Sequence, residues 1–425
     1  MKAEYEVLMN VAMLSVHSCP LGRLGEKNTG GMSVYIRELA RQLGRQGHRI
    51  DVYTRAHGPV HDQIIGFAPN ARVIHLQAGR DEEVDKLEIY PHLSDFVLEL
   101  ERFRVTHHVH YDLIHSHYWL SGWAGRQIRQ IWNVGHVTTF HTVAAVKNAV
   151  GIGEPEPRLR LDAEKSLVTA CDRIVASSDS ERRHLIDHYQ ASPELIRIVP
   201  CGVNPGLFRP IDRARALRYL DCNGEKIVLY VGRINPLKGV EQLLGAMALL
   251  NQQKAKLVIV GGGEQSRSEM KRLKDLSERL EIQRSVVFQG LVKQELLPYY
   301  YSAADVCVVP SYYESFGLVA LESLACGTPV VSTKVGCAEH VIRHGKTGYL
   351  VVDNTPATLA DAIKTMLVRS GEEALSPGSI RESVTSFTWD NMAHTTEKEY
   401  RSVLMAQSLC LSPCSKQLEA SCRPR

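Results

Sequence analysis

Between Met32 and Leu43 the apolar residues recur at helical spacing. Met32, Tyr35, Ile36, Leu39, Ala40 and Leu43 fall on one face, and Gly47 ends the run. On either side lie short, nearly continuous apolar runs, Met9 to His17 and Ile50 to Thr54, as a strand buried on both faces requires. The alternation continues. Further strands are expected at Val73 to Leu76, Leu113 to Ser116, Val137 to Phe140, Ile174 to Ser177 and Ile196 to Val199, with helical patterns between most of them. A second series opens at Lys226 to Val231. It continues at Lys256 to Val260, Val286 to Phe288, Asp305 to Val309, Val330 to Ser332 and Gly348 to Val351. The pattern predicts an α/β chain of two Rossmann-like, doubly wound domains. The Gly- and Pro-rich stretch Gly202 to Pro210 divides them into residues 1–203 and 204–386. Phe387 to Met405 reads as a late helix and residues 406–425 as a disordered polar tail.

The loops carry the candidate chemistry. Ser18 to Thr29 holds Gly22 and Gly25 and runs into Gly30-Gly31 at a helix start. These glycines do not make the dinucleotide pattern, but they let backbone approach a ligand at a helix N-terminus. A tight turn with no ligand would use them equally well. Ser311 to Pro329, reading SYYESFGLVALESLACGTP, follows a strand and turns helical from Phe316 to Cys326. Leu318, Leu321, Leu324 and Ala325 lie on its apolar side, and Gly327 and Pro329 stop it. Glu314 sits before this helix and Glu322 inside it, with seven residues between. The helix N-terminus suits a diphosphate, and the carboxylates suit hydroxyls on either side of it, as on a sugar and a ribose. Arg233 and Lys238 follow the first strand of the second domain. They can neutralise the charge that a diphosphate gains as it leaves, although two loop cations by themselves are usually only solvated. Gly345-Lys346-Thr347 is not a phosphate loop, because His340 stands where its first glycine belongs.

Composition removes other classes. The 425 residues are too many for one core. Lys+Arg 50 against Asp+Glu 47 leaves a net charge of +3, which gives no nucleic-acid footprint. No stretch approaches the roughly 20 apolar residues of a membrane span, and MKAEYEVLMNVAMLSVH reads as a first strand, not a signal peptide. Ten cysteines include no CxxC pair, so a reducing, cytoplasmic setting is expected. Cys410, Cys414 and Cys422, in the tail, match no metal-binding spacing.

Two strings carry a resemblance: ESFGLxxLExxAxGxPV from Glu314 to Val330, and GRxxPxKG from Gly232 to Gly239. Together they resemble the family 4 retaining glycosyltransferases of GT-B fold, over residues 7 to 405. In that fold the late helix crosses back onto the first domain. The resemblance implies that Arg233 and Lys238 hold the diphosphate with backbone N–H groups of Gly317 and Leu318. It places Glu322 on the ribose and Glu314 on the donor sugar, with Gly31, Phe316 and Val292 also lining the donor. The nucleobase is expected over Gly261 to Gly263 and Leu291-Val292. His141 matches a histidine beside the transferred sugar and is expected at the reaction centre, but not as a general base. Family members react on one face, and the leaving phosphate oxygen takes the acceptor proton.

HSHYWLSGWAG (His115 to Gly125), TFHTVAAVKN (Thr139 to Asn148) and GGMSVY are similar to one branch of the family. That branch makes the mycothiol precursor, moving N-acetylglucosamine from UDP onto inositol phosphate. Sucrose-phosphate synthase is a more distant cousin, with UDP-glucose and a hexose phosphate as the alternative substrates. Lys86, Tyr118, Thr142 and Arg160 match the branch's phosphate pocket; Arg160 is placed by PEPxLRxxxE, Pro155 to Glu164. Two cations and two hydroxyls from four segments suit a phosphate monoester. His17, Asn28 and Ser33 fall on the acceptor side. Asn28 stands where the branch has Asp, and Ser33 where it has Asn, so another sugar phosphate or polyol phosphate would satisfy the same cations. No cofactor or catalytic metal is expected; a magnesium ion in some relatives reads as structural. A homodimer is compatible with the resemblance. A sugar-nucleotide epimerase on this architecture would not need the acceptor pocket. A binding-only relative should have lost one of Arg233, Lys238, Glu314 or Glu322, and all four are present.

Overall fold

The computed structural model describes residues 7–25, 28–56, 63–80, 82, 84–222, 224–250, 254–368 and 376–411. Two sheets divide the chain. The first takes β1 (Asn10–Leu14), β2 (Arg49–Arg55), β3 (Ile64–Ala68), β4 (Ala71–Leu76), β5 (Leu113–His117), β6 (Gly135–Thr139), β7 (Arg173–Ala176) and β8 (Ile196–Ile198). Their order is β3-β4-β2-β1-β5-β6-β7-β8, parallel except at β3. The second takes β9 (Lys226–Val231), β10 (Ala255–Val260), β11 (Val286–Gly290), β12 (Val306–Val309), β13 (Val330–Thr333) and β14 (Gly348–Val351). Its order is β11-β10-β9-β12-β13-β14, all parallel.

The strand order reverses between β1 and β5 in one sheet and between β9 and β12 in the other. In doubly wound sheets ligands bind beyond the carboxyl ends of the strands at such switch points. Here those ends deliver His17, Tyr118, His141 and Thr142 from the first domain and Arg233, Lys238 and Glu314 from the second.

The antiparallel edge strand β3 had no counterpart in the periodicity. Its Ile64 and Ile65 are over a third exposed, so it has no buried face to write a pattern. It forms because Asn70, at φ 53°, turns the chain into β4 and donates to the Gly44 carbonyl at 3.1 Å. The last helix, Trp389–Leu411, returns to the first domain, where it packs on the helix Gly31–Arg45. Tyr400 on it is fully buried and meets His115 Nδ1 at 2.6 Å. The helix runs past Met405, which corrects the expected start of the tail. Gly135 leaves room for Val403 and Gln407 against β6, and that contact carries the helical pattern onward. Residues 412–425, including Cys414 and Cys422, lie outside the described residues. Every cysteine with a described side chain is unpaired and buried. Among the described residues no helix is long and apolar enough to cross a membrane.

Candidate active site between the two sheets

The second domain supplies a cationic shelf. After β9 the chain passes the exposed Arg233 and makes a short 3-10 turn, Pro236–Lys238, capped by the Asn235 side chain on Leu237 N at 2.9 Å. Gly239 follows at φ 68°, and a β-carbon there would sit 2.0 Å from the Pro310 carbonyl, so only glycine lets β9 and β12 lie this close. The turn aims Lys238 Nζ at Glu314 Oε1, 2.6 Å away, and Ser311 Oγ reaches the same oxygen at 3.0 Å. Burial lowers the Lys238 pKa and Arg233 lowers it further, while Glu314 works against both. Among the described residues no acidic side chain pairs with Arg233, which leaves it available to an anion.

The helix Leu318–Ala325 begins at Gly317, φ 91°, with no side-chain cap and no acid in its first turn. Its N-terminal dipole and N–H groups therefore face the cleft uncompensated. Gly31, at the start of the facing helix, lies against Leu318: a β-carbon there would be 3.7 Å from Leu318 Cδ1. Phe316 is buried and half-buried Val292 packs at the rim. Glu322 is 8% exposed and accepts from Tyr301 Oη at 2.8 Å; burial pushes its carboxyl up to about 7. Gly261 serves packing, since a β-carbon there would fall 1.8 Å from the Gly232 carbonyl. Leu291, half exposed, closes over Gly25 of the first domain.

The first domain supplies a second cationic cluster, built around the ring of Tyr118. Tyr118 leaves β5 at φ 76° and its ring takes three neighbours. The His17 ring lies 4.5 Å away, Lys86 Nζ 5.3 Å and Arg160 Cζ 4.7 Å from the centroid. Burial, with Arg233 and Arg160 nearby, brings Lys86 down to about 8. Lys147 comes down to about 8 for the same reasons: burial first, then Arg160, Lys86 and Arg233. Four cations thus converge from both domains. Two acids answer them. Glu156 bonds Lys147 and, at 2.9 Å, Arg160; Glu164 holds Arg160 Nε at 2.7 Å. The positive charge exceeds the negative by two with Arg233 counted and by one in the first-domain cluster without it, a balance that suits an anion at this end of the cleft.

Lys147 and Glu156 were not singled out in the sequence. The signal available was the position of Lys147 inside the run 139–148. Arg160, expected to meet an acceptor directly, is 2% exposed. Its Nε, NH1 and NH2 groups are all held, the last by the Thr142 carbonyl and Oγ1 at 3.1 and 2.8 Å. A buried guanidinium needs counter-charge, and here Glu156 and Glu164 provide it. Ser33 is also corrected: it is fully buried, bonded to Ser18 Oγ at 2.8 Å and accepting from Gly30 N at 3.2 Å. With no exposed surface it closes the helix start in place of touching an acceptor. Asn28, at φ 65°, makes one long contact to the Val84 carbonyl.

His141 sits between the clusters, at φ 60° beyond β6, with its Nε2 3.0 Å from His117 Nδ1. Burial pushes it down to about 3 and also lowers His117 and His115. It is a neutral imidazole at working pH, a hydrogen-bonding group and not a proton store. The Ser315 hydroxyl donates to the His141 carbonyl, and Tyr313 Oη accepts from Val143 N at 2.9 Å, so the two domains touch across the site.

Two facing Rossmann-like domains with cations and a bare helix N-terminus in the cleft define a GT-B glycosyltransferase. Residues 29–207 match the family described as Glycosyltransferase Family 4, and residues 219–376 match Glycosyl transferases group 1. The D-inositol 3-phosphate glycosyltransferase of Geodermatophilus obscurus is 40% identical over 92% of this chain and 88% of its own length. That of Acidothermus cellulolyticus is 41% identical over 93% and 90%. Among solved structures, a sucrose-phosphate synthase from Thermosynechococcus elongatus superposes with a TM-score of 0.86 at 36% identity, covering 94% of this chain and all of that one. The chain belongs to the family 4 glycosyltransferases.

Proposed function

We propose that this enzyme transfers N-acetylglucosamine, with retention, from UDP-N-acetylglucosamine to an inositol phosphate. The observation that carries the reading is the excess of cations around Tyr118, facing the diphosphate shelf across the cleft. A phosphate monoester fits that excess, and the relatives of about 40% identity named as D-inositol 3-phosphate glycosyltransferases favour inositol as its carrier. In the step, the bond from the anomeric carbon to the diphosphate oxygen breaks and the acceptor hydroxyl oxygen bonds to that carbon. The hydroxyl proton passes to the leaving diphosphate. Arg233, Lys238 and the N–H groups at Gly317 and Leu318 take up the developing charge, so the reaction needs no metal. Glu314 orients the sugar and Glu322 the ribose. Neutral His141 accepts or donates a hydrogen bond to the sugar without removing a proton. The apposed domains exclude water, which would otherwise take the sugar. A cytoplasmic setting for the reaction is supported by cysteine usage, ten residues with no CxxC pair and the described side chains unpaired.

A second reading, glucose from UDP-glucose onto a hexose phosphate, is favoured by the likeness to the sucrose-phosphate synthase structure. UDP release decides between them. UDP-N-acetylglucosamine and UDP-glucose are each offered alone and with D-inositol 3-phosphate, fructose 6-phosphate or glucose 6-phosphate. Release from UDP-N-acetylglucosamine with inositol phosphate alone supports the first reading; release with a hexose phosphate alone replaces it by the second.

A further inference from the structure

The loop that carries Glu314 is fastened in the opposite domain. Tyr313 belongs to the second domain's chain, yet its ring is buried in the first domain's cluster with Phe140, Val143, Val146 and Leu167. Its hydroxyl accepts from Val143 N at 2.9 Å. On the other side of Glu314, Ser315 Oγ donates to the His141 carbonyl. Glu314 is thus bracketed by two residues tied to positions 141 and 143. The same turn belongs to the acceptor side. Thr142 accepts from Arg160 through its carbonyl and its hydroxyl, and Ala144 N donates to Glu164 Oε2 at 2.9 Å. Glu164 is the carboxylate that holds Arg160 Nε. Residues 141–144 are therefore shared, one after another, between the donor loop and the acceptor cations.

We propose that Tyr313 is a positioning residue that couples occupancy of the acceptor pocket to the seating of Glu314 at the donor. An anion arriving beside Lys86 and Lys147 competes with Glu156 for Lys147, and Glu156 is also the partner of Arg160 NH1. The response of Arg160 is carried by Thr142 into the turn, and the Tyr313 hydroxyl transmits it to the residue next in sequence, Glu314. The coupling works only when the domains are apposed, because parting them takes the phenol from the Val143 N–H. Acceptor and donor then each favour the closed arrangement and strengthen one another. This inference rests on the transferase reading above.

The experiment titrates UDP calorimetrically into wild type and Tyr313→Phe, alone and with saturating D-inositol 3-phosphate, glucose 6-phosphate or inorganic phosphate. Wild type should bind UDP on the order of tenfold more tightly beside its phosphate ligand. In Tyr313→Phe, which keeps the ring and its packing, that enhancement should fall below about twofold, with the UDP-only affinity and the unfolding midpoint near wild type. A purely structural role would move the midpoint and leave the enhancement. If Tyr313→Phe does not fold, Ser315→Ala should show the same loss in weaker form. Full enhancement in the variants, or none in a wild type that binds both ligands, overturns the coupling and leaves the transferase reading standing. A wild type that binds UDP but none of the three phosphate probes overturns that reading and the coupling with it.

Discussion

Replacing Glu322 by Gln should stabilise the ligand-free protein in a pH-dependent way. The folded chain keeps the Glu322 proton up to about pH 7, against 4.5 for the ordinary side chain, because burial disfavours the charged carboxylate. Between those values the native state binds more protons than the unfolded chain, so stability falls as pH rises. Below about 4.5 both states are protonated and the penalty is absent; above about 7 it is complete. A displacement of about 2.5 units at 1.36 kcal/mol each gives about 3 kcal/mol. Gln preserves the acceptor that Tyr301 Oη bonds and carries no charge to bury. The difference in unfolding midpoint between Glu322→Gln and wild type should therefore widen from pH 5 to pH 8 by roughly 5–10 °C. The same variant should bind UDP more weakly, since an ionised carboxylate is the stronger partner for ribose hydroxyls. Thermal unfolding of both proteins across that range, without nucleotide, is the assay. Parallel profiles would refute the reasoning, for they would mean that the carboxyl ionises in the fold as it does in water.

Lys238→Ala should cut turnover by about 10²–10³-fold with the circular dichroism spectrum unchanged, and near-normal rates would remove Lys238 from the diphosphate site. Lys86 and Lys147 both lie near pKa 8, so they lose charge as pH rises through that value. The acceptor KM should rise roughly tenfold between pH 7 and 9.5 while the donor KM changes less. His141, at about 3, should leave no inflection in kcat between pH 6 and 8 once Glu322→Gln has removed the carboxyl that titrates near 7, and a histidine-like inflection that persists in that variant under saturating substrates would contradict its burial. Turnover should survive exhaustive chelation, and loss restored by magnesium would place a metal in the reaction.

The layout of the second domain's candidate residues was legible in the sequence because it is local. Arg233, Lys238, Gly317, Glu314 and Glu322 lie within two short strings, each a strand end followed by a turn and a helix start, so spacing sets the elements that carry them, while the loop of Glu314 is also held by the first domain. The parallel strands were legible for a related reason: burial on both faces writes a continuous apolar run. What the tertiary structure alone decided is which groups face one another across long separations. The edge strand β3 hides no face and left no pattern. The Arg160 guanidinium proved committed to Glu164, Glu156 and Thr142, and the Ser33 hydroxyl to Ser18. Lys147 lies in the run 139–148, but only the fold brings it beside Lys86 and Arg160. Tyr313 lies 170 residues from Val143 and crosses to the other domain's core. Side-chain type and spacing constrain a turn or a helix face, whereas the partner of a buried charge or hydroxyl depends on how the two sheets are apposed.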